Sequence, residues 1–309
     1  MNSLVSIVMP CFNAAEHVRA TVRSALEQSH ANLELICVDE GSTDGTRELL
    51  AAVQDPRVRV IEQRNAGSGA ARNHGLASAT GSFIAFLDAD DTWEPTFLEK
   101  LLGALQRCPT AGLAYCGWQN IHPGGTNGIP YLPPDYEAGN KIEHLLTACP
   151  WPIHAALVRA SVIRESGFFD PTLSSCMDYD LWLRIASRNK IVRVPEVLAY
   201  YIHHAGVRIT HDRSLVAVNN WRVQRRFVRS NLQAVLSLKR RHIRKLLEGE
   251  LLYTGYQCYW RRDLDAARII FRQVMATGYG SPKDWLYMLP ALLPRALHER
   301  LIALFSSHP

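Results

Sequence analysis

The sequence has no long apolar run, no closely spaced pair of cysteines and no basic leader. No uninterrupted apolar segment reaches about 18 residues, which argues against a membrane-spanning helix. The seven cysteines are scattered without a CxxC pair, so neither a zinc knuckle nor a dithiol redox motif is indicated. Several of them lie within apolar segments, as reduced thiols of the cytosol do. No basic stretch precedes the first apolar run, so we expect no signal peptide and a cytoplasmic protein.

The remaining composition is that of a globular protein. The chain has 309 residues, of which 47% are hydrophobic and 20% charged, and its net charge is +5. This length suggests one large domain or two modest ones, with enough apolar material for a core. The positive charge is unevenly distributed, because residues 213–245 contain ten lysines or arginines and no acidic residue.

Apolar strands alternate with helical patterns over the first hundred residues. Short apolar runs at 4–9, 33–38, 58–61 and 83–87 predict buried strands, and apolar residues at helical spacing predict helices between them. Asp44 is expected to cap the second helix, and Pro95 to be the first residue of a fourth one. Alternating strands and helices are typical of βαβ units, so we predict an α/β protein with a mostly parallel sheet.

Carboxylates follow two of these strands, at the point where each strand ends. Asp39 and Glu40 follow the second strand, and Asp88, Asp90 and Asp91 follow the fourth. Because the carboxyl ends of parallel strands open on one edge of a sheet, these acids should face one crevice. They would repel one another unless hydrogen-bond donors or a cation share the site. A nucleotide diphosphate bound with a divalent ion is one ligand that would satisfy them.

Three segments allow other interpretations on the residues alone. The D-x-D spacing of Asp88 and Asp90 is also typical of a turn followed by a helix cap. Residues 67–72 (GSGAAR) superficially match a dinucleotide-binding fingerprint, but Arg72 stands where the third glycine should be, so NAD binding is not expected. The basic segment lacks interleaved exposed aromatic residues and a recognisable nucleic-acid-binding fold, so we expect no nucleic-acid partner.

Several motifs resemble one known family. The segments SIVMPCFNAAEHV, VDEGSTDGT and NAGSGAARNHGLASATGSFIAFLDADD are similar to the inverting family-2 glycosyltransferases with the GT-A fold, over roughly residues 3–210. The resemblance implies a Rossmann-like, mostly parallel sheet flanked by helices. It places a GT-A catalytic domain at residues 1–212, followed by an α-helical C-terminal region at residues 213–309.

The resemblance also implies an activity. Similar proteins transfer a sugar from a nucleotide-diphosphate sugar, here with a UDP-sugar favoured, to a hydroxyl of a glycan or lipid-linked acceptor. Bacterial surface polysaccharide or glycolipid synthesis is the expected context, and Mg²⁺ or Mn²⁺ the expected metal. The alternative is a catalytically inactive GT-A protein that acts as an interaction subunit, and metal-dependent turnover would separate the two.

Site residues follow from the same resemblance. Those expected to contact the donor are Pro10, Phe12, Asp39, Glu40, Arg72 and Asp88. Asp90 is the expected metal ligand, with His203 as a second one. The family usually has two aspartates after the second strand, so Glu40 leaves open which member of that pair binds the base.

Asp178 is the expected catalytic base. In the family this carboxylate removes the proton of the acceptor hydroxyl, and its neighbour is usually acidic, whereas here the neighbour is Met177. On the residues alone, a plain helix N-cap is the favoured interpretation of Asp178. Asp180 is expected to pair with Arg184 one helical turn later.

The C-terminal region is predicted to be helical from residue 213. Arg222, Arg225, Arg226 and Arg229 should share one face of a basic helix, opposite Phe227, Leu232 and Val235. Residues 246–276 predict a helical hairpin like a single tetratricopeptide repeat, which is too little for a solenoid. The basic face favours peripheral attachment to an anionic membrane surface. A solvated face, packing on the catalytic domain and packing on a second copy in a homodimer remain open.

Overall fold

A computed structural model describes residues 3–124, 126–204 and 212–298. The chain falls into two compact units, one comprising residues 1–145 and 149–206 and the other comprising residues 146–148 and 207–309. The domain boundary predicted at residue 212 adjoins residues 205–211, which lie outside the described residues.

The first unit is built on one eight-stranded sheet. Its strands are β1 (Val5–Cys11), β2 (Leu33–Asp39), β3 (Val58–Glu62), β4 (Phe83–Phe86), β5 (Thr92–Trp93), β6 (Ala111–Ile121), β7 (Ala156–Arg159) and β8 (Lys190–Ile202). Their spatial order is β3-β2-β1-β4-β7-β6-β8-β5. Pairs that involve β5 or β7 are antiparallel and all other pairs are parallel. The predicted mostly parallel α/β sheet is therefore confirmed.

Helices connect these strands. They are α1 (Val18–Leu26), α2 (Thr46–Ala51), α3 (Ser68–Ser78), α4 (Phe97–Arg107), α5 (Lys141–Thr147), α6 (Ala160–Ser166) and α7 (Met177–Ala186). In α3, a Cβ atom added at Gly75 would lie 2.4 Å from Val8 Cγ1, so only glycine lets this helix approach β1 so closely. The small residues of α3 therefore bring this helix into close contact with the sheet.

Two predicted helix starts are wrong. The cap of α2 is Gly45, with φ of 94°, and not Asp44. The Asp44 carboxylate instead accepts hydrogen bonds from the backbone N–H groups of Ala15 and Thr46, which ties the loop after β1 to the helix. Pro95 precedes α4 by two residues, because it lies in a turn closed by the hydrogen bond from Phe97 N to Glu94 O.

The second unit is helical. It contains α8 (Arg213–Ser230), α9 (Leu232–Val235), α10 (Arg240–Arg244), a π-helical turn (Lys245–Gly249), α11 (Glu250–Trp260), α12 (Leu264–Met275), α13 (Pro282–Met288) and a 3₁₀ turn (Leu289–Leu292). The basic segment is thus not one helix, because α8 ends at Ser230 and is capped by Asn231, whose side-chain amide donates to Phe227 O. Phe227 is buried as predicted, whereas Leu232 is exposed.

The predicted helical hairpin is confirmed in α11 and α12. A Cβ atom at Gly255 on α11 would lie 2.7 Å from Cε1 of Phe271 on α12, so the two helices touch at the glycine. Within the described ranges, no helix combines the length and the apolar character needed to cross a membrane.

Candidate active site

The acidic segments meet at one edge of the sheet. β1 pairs in parallel with both β2 and β4, and Cys11 at the end of β1 lies opposite Asp39. The segments after β2 and β4 therefore leave the sheet on either side of β1. Phe12, which follows β1 directly, is 48% exposed between them, whereas Pro10 is buried within the strand.

Asp39 has one carboxylate oxygen that accepts hydrogen bonds and one that has no partner among the described residues. Its side chain is buried, and Oδ2 accepts hydrogen bonds from the backbone N–H groups of Gly41 and Ser42, both at 3.2 Å. Oδ1 is buried and accepts no hydrogen bond from the described residues. An unsatisfied buried acceptor costs about 1–3 kcal/mol, and more when it is charged, so this oxygen is suited to receive a ligand N–H donor.

Glu40 extends from the same strand end towards the loop before α3. Burial raises the pKa of the Glu40 carboxyl, against the opposing effect of the backbone N–H groups of Ala66 and Gly67 and of the Arg72 charge. Its Oε2 atom is also buried without a hydrogen-bond partner in the described part of the chain. Glu40 thus differs from Asp39 in that its side chain also holds the turn that starts α3.

Arg72 and Asp88 form an ion pair beneath the edge. The guanidinium Nη2 lies 2.5 Å from Asp88 Oδ1, and the Arg72 side chain is only 6% exposed. The guanidinium also lies over the ring of Phe169, at 5.6 Å from its centroid. Because Arg72 compensates one of the aspartates after β4, the local excess of negative charge is smaller than the sequence suggests.

The histidine beside Asp90 is His204 and not His203. His204 Nε2 lies 2.9 Å from Asp90 Oδ2. His203 Nε2 lies 3.2 Å from Asn120 Oδ1, and its ring stacks on His122. The two histidines are adjacent in sequence, so no pattern could have chosen between them. The role predicted for His203 stays a prediction, but its side chain is not brought to Asp90.

The donor set at Asp90 is suited to a divalent ion. No group of three or more His, Cys, Asp or Glu side chains is gathered for a metal in the described ranges. Mg²⁺ commonly takes only one or two carboxylates and completes its shell with substrate phosphates and waters, and Mn²⁺ accepts the same oxygen donors. Asp90, with His204 at its side, fits an ion held jointly with a diphosphate.

Sequence reasoning missed the buried partner of Asp91. His154 Nδ1 lies 3.0 Å from Asp91 Oδ2, and both side chains are buried. Burial alone would lower the pKa of His154, but the Asp91 charge, with Asp88 and Asp90, raises it. Asp91 Oδ1 accepts from the backbone N–H of Ile202 at 3.0 Å, which ties the acidic turn to the end of β8. His154 follows no motif, so no sequence signal could have found it.

Asp178 lies in the first turn of α7. Burial raises the pKa of its carboxyl, the Arg72 charge opposes that effect and Asp88 adds to it, so Asp178 is electrostatically coupled to the site. The alternative role of helix cap is wrong, because the cap is Cys176, in a left-handed conformation with φ of 61°. A carboxylate with a raised pKa is a stronger base near neutral pH.

The residues on either side of Asp178 have structural roles. The Met177 sulfur accepts from the Ser68 hydroxyl at 3.4 Å, and it would lie 3.2 Å from a Cβ atom at Gly69. Met177, at the position expected to be acidic, therefore packs against α3. Asp180 pairs with Arg184 at 2.8 Å, as predicted.

Comparison with known proteins points to one family. The model of the family described as Glycosyl transferase family 2 matches residues 6–165. The Escherichia coli protein named UDP-Glc:alpha-D-GlcNAc-diphosphoundecaprenol beta-1,3-glucosyltransferase WfaP is 30% identical over 205 residues, which are 66% of this chain and 78% of that protein. The Bacillus subtilis putative teichuronic acid biosynthesis glycosyltransferase TuaG is 40% identical over 126 residues, or 40% of this chain and 50% of that protein.

Coverage of other relatives is shorter. An uncharacterized glycosyltransferase of Rickettsia bellii is 31% identical over 187 residues, which are 59% of this chain and 27% of that protein. The chain therefore spans about a quarter of this relative and half of TuaG.

Solved structures share the fold. Staphylococcus aureus TarS in complex with UDP-GlcNAc superposes with a TM-score of 0.58 at 15% identity, over 88% of this chain and 92% of that one. The Pyrobaculum calidifontis mannosyltransferase PcManGT, in complex with GDP-Man and Mn²⁺, superposes with a TM-score of 0.55 at 19% identity, over 98% of this chain and 88% of that one. The predicted GT-A fold is confirmed by these similarities.

Proposed function

Because the chain belongs to glycosyl transferase family 2, we propose that it is a metal-dependent inverting glycosyltransferase. It moves a sugar from a nucleotide-diphosphate sugar to an acceptor hydroxyl. The observation that carries this proposal is the set of groups along one sheet edge. These are an unsatisfied buried acceptor on Asp39, the Arg72–Asp88 ion pair, the Asp90–His204 contact and a carboxyl of raised pKa at Asp178.

The nucleotide base is received by Asp39. Oδ1 accepts an N–H of the base, which relieves the cost of leaving a buried charged oxygen without a partner. Uracil and guanine both offer such an N–H, and a UDP-sugar is favoured because TarS binds UDP-GlcNAc and WfaP is named for UDP-Glc. Pro10 and Phe12 border the base, and Glu40 holds the turn before α3 in place.

The metal is Mg²⁺ or Mn²⁺, held by Asp90 and, in place of the predicted His203, by His204. When bound, such an ion neutralises the negative charge that develops on the departing diphosphate. Arg72 keeps Asp88 compensated, and Asp91 holds the acidic turn against β8 through the Ile202 N–H. Asp90 and His204 are thereby kept close to each other.

The base is Asp178. Its carboxylate accepts the proton of the acceptor hydroxyl while that oxygen attacks the anomeric carbon. The new glycosidic bond forms as the bond between the sugar and the diphosphate breaks, which inverts the anomeric configuration. Burial raises the Asp178 pKa and so strengthens it as a proton acceptor.

The acceptor is a glycan or lipid-linked sugar of bacterial surface polysaccharide or glycolipid synthesis. This part of the proposal is supported by the names of WfaP, which acts on a diphosphoundecaprenol-linked sugar, and of TuaG in teichuronic acid biosynthesis. A lipid-linked acceptor places the enzyme in the cytoplasm, peripherally at the inner face of the cell membrane.

A nucleotide-release assay tests the proposal. UDP-, GDP- and dTDP-sugars are supplied with Mg²⁺, with Mn²⁺ or with EDTA, and release is measured with and without acceptor lipid extract. Release with one class of donor, only when a divalent ion is present, is expected. Tight donor binding without turnover on any donor would instead support an inactive interaction subunit.

A further inference from the structure

A strongly basic cleft lies within the C-terminal unit, and none of its lining residues belongs to the unit that carries the sheet. It has a volume of about 1170 Å³ and is formed by α10, the π-helical turn that follows and the loop at residues 278–281. The loop turns sharply because Gly278 and Gly280 adopt φ of 65° and 116°. The cationic side chains that line the cleft are Lys239, Arg240, Arg241, Arg244 and Lys245.

Most of this charge is not compensated. Among the described residues, none of these five cations forms an ion pair with a carboxylate. Arg244 is fixed as part of the wall, because it donates to Thr277 O at 3.0 Å and lies over the Tyr279 ring. The other four are exposed to solvent at the cleft.

The acidic residues of the cleft do not neutralise it. Asp284 Oδ2 accepts from the backbone N–H and the hydroxyl of Ser281, both at 2.7 Å, and Oδ1 accepts from the Tyr256 hydroxyl at 2.7 Å. Its carboxylate is therefore used in capping α13. With Asp284 and Glu250, the cleft has two carboxylates against five lysine and arginine side chains, so its lining keeps an excess of positive charge. An anion in the cleft would relieve the repulsion among these cations.

Exposed aromatic and apolar side chains continue from the cleft wall. Tyr256, bonded to Asp284, packs on Tyr287, and Tyr287 packs on Trp260. Trp260 is 62% exposed and Leu286, beside Tyr287, is 71% exposed. Exposed aromatic residues next to a cationic surface are typical of proteins that lie in the head-group region of a membrane.

We propose that this cleft binds the phosphate of an anionic membrane lipid, while the exposed side chains of α11 and α13 enter the lipid interface. The inference rests on the peripheral location proposed above and is independent of the transfer chemistry. It assigns membrane binding to the cleft and its rim, and not to the basic face of α8 that the sequence indicates.

Vesicle flotation of the full chain tests the assignment. Arg241→Gln with Lys245→Gln removes two exposed cations of the cleft, and Arg222→Gln with Arg229→Gln removes two exposed cations of α8 as a matched control. A cation near an anionic leaflet changes partitioning roughly fivefold, so the cleft variant should bind phosphatidylglycerol vesicles about 25-fold more weakly. The α8 variant should stay close to wild type. Equal losses in both variants would refute a specific cleft and leave only general charge attraction.

Further measurements identify the ligand. Binding should be strong at low salt, fall steeply with added salt and be absent from pure phosphatidylcholine vesicles. Inorganic pyrophosphate, titrated by calorimetry, should bind more weakly than the anionic vesicles. Tight pyrophosphate binding without flotation would indicate a soluble phosphate ligand, and tight binding of a DNA oligonucleotide without flotation would indicate nucleic acid. Either result would overturn the lipid assignment.

Two controls separate this inference from the proposed activity. Donor turnover on a soluble acceptor should be unchanged in the cleft variant, and its thermal unfolding should match that of wild type. If the wild-type chain does not float with anionic vesicles at low salt, both the cleft assignment and the peripheral location are wrong. The transfer reaction would still be judged separately by nucleotide release.

Discussion

Replacing Asp39 by asparagine should weaken nucleotide binding without weakening the fold. In the free protein, Oδ2 accepts two backbone N–H groups, and the oxygen of an asparagine amide can keep that place. The amide nitrogen would then occupy the position of Oδ1, which is buried and unsatisfied. A hydrogen-bond donor would then lie where the nucleotide base requires a hydrogen-bond acceptor. The substitution also removes the negative charge of the buried carboxylate.

The expected magnitude follows from this change. A hydrogen bond to a charged group contributes about 1.5–3 kcal/mol, which corresponds to roughly 10- to 150-fold in the dissociation constant for UDP. The stability of the free protein should not fall, because the substitution removes a desolvated charge from it. The melting temperature of Asp39→Asn should therefore equal or exceed that of wild type.

Calorimetric titration with UDP and a thermal melt of the same preparation measure both quantities. The matched control is Asp180→Asn, which removes a carboxylate paired with Arg184 at 2.8 Å. It should lower the melting temperature while leaving the nucleotide affinity of the folded protein unchanged. Wild-type UDP affinity in Asp39→Asn, or a loss of affinity that only accompanies a lower melting temperature, would refute the reasoning.

The remaining predictions concern the base, the metal and the helical hairpin. Asp178→Asn should keep donor binding and slow transfer by about 10²–10⁴-fold in steady-state assays, the usual effect of losing a positioned base. Since burial raises the Asp178 pKa, wild-type transfer should fall as pH drops through that raised value. The pKa of this carboxyl is higher in the folded than in the unfolded protein, so its contribution to stability is lost as pH rises from the unfolded pKa through the folded one. Asp178→Asn should therefore have a melting temperature no lower than that of wild type at neutral pH. His204→Ala should raise the Mn²⁺ concentration needed for turnover more than His203→Ala does, and the reverse order would restore His203 as the ligand. Gly255→Ala should destabilise the fold by about 1–3 kcal/mol in urea unfolding, because the added methyl group would overlap the Phe271 ring. In Gly103→Ala the added methyl group meets only the end of a flexible arginine, so the higher helix propensity of alanine should stabilise the fold by up to about 1 kcal/mol.

The arrangement of the sheet could be predicted from the sequence because its causes are local. Apolar runs such as residues 83–87 favour buried strands wherever the chain places them, and parallel pairing puts the residues after each strand on one edge. Asp39 and Asp90 could therefore be assigned to the same edge of the sheet from the sequence. The helical hairpin was equally predictable, since helical periodicity and a small residue at Gly255 specify a close helix pair.

Tertiary structure alone decided which side chains meet. Asp90 and His204 are 114 residues apart, and the choice of His204 over its neighbour depends on how β8 is held by Asp91. The pairing of Asp91 with His154 has the same origin. In the C-terminal unit, the basic segment was visible in the sequence. The basic residues line a cleft because α8 stops before Asn231 and because the distant loop at 278–281 forms the opposite wall. Periodicity and turn chemistry act over a few residues, whereas these contacts depend on strand register and helix packing between segments far apart in the chain.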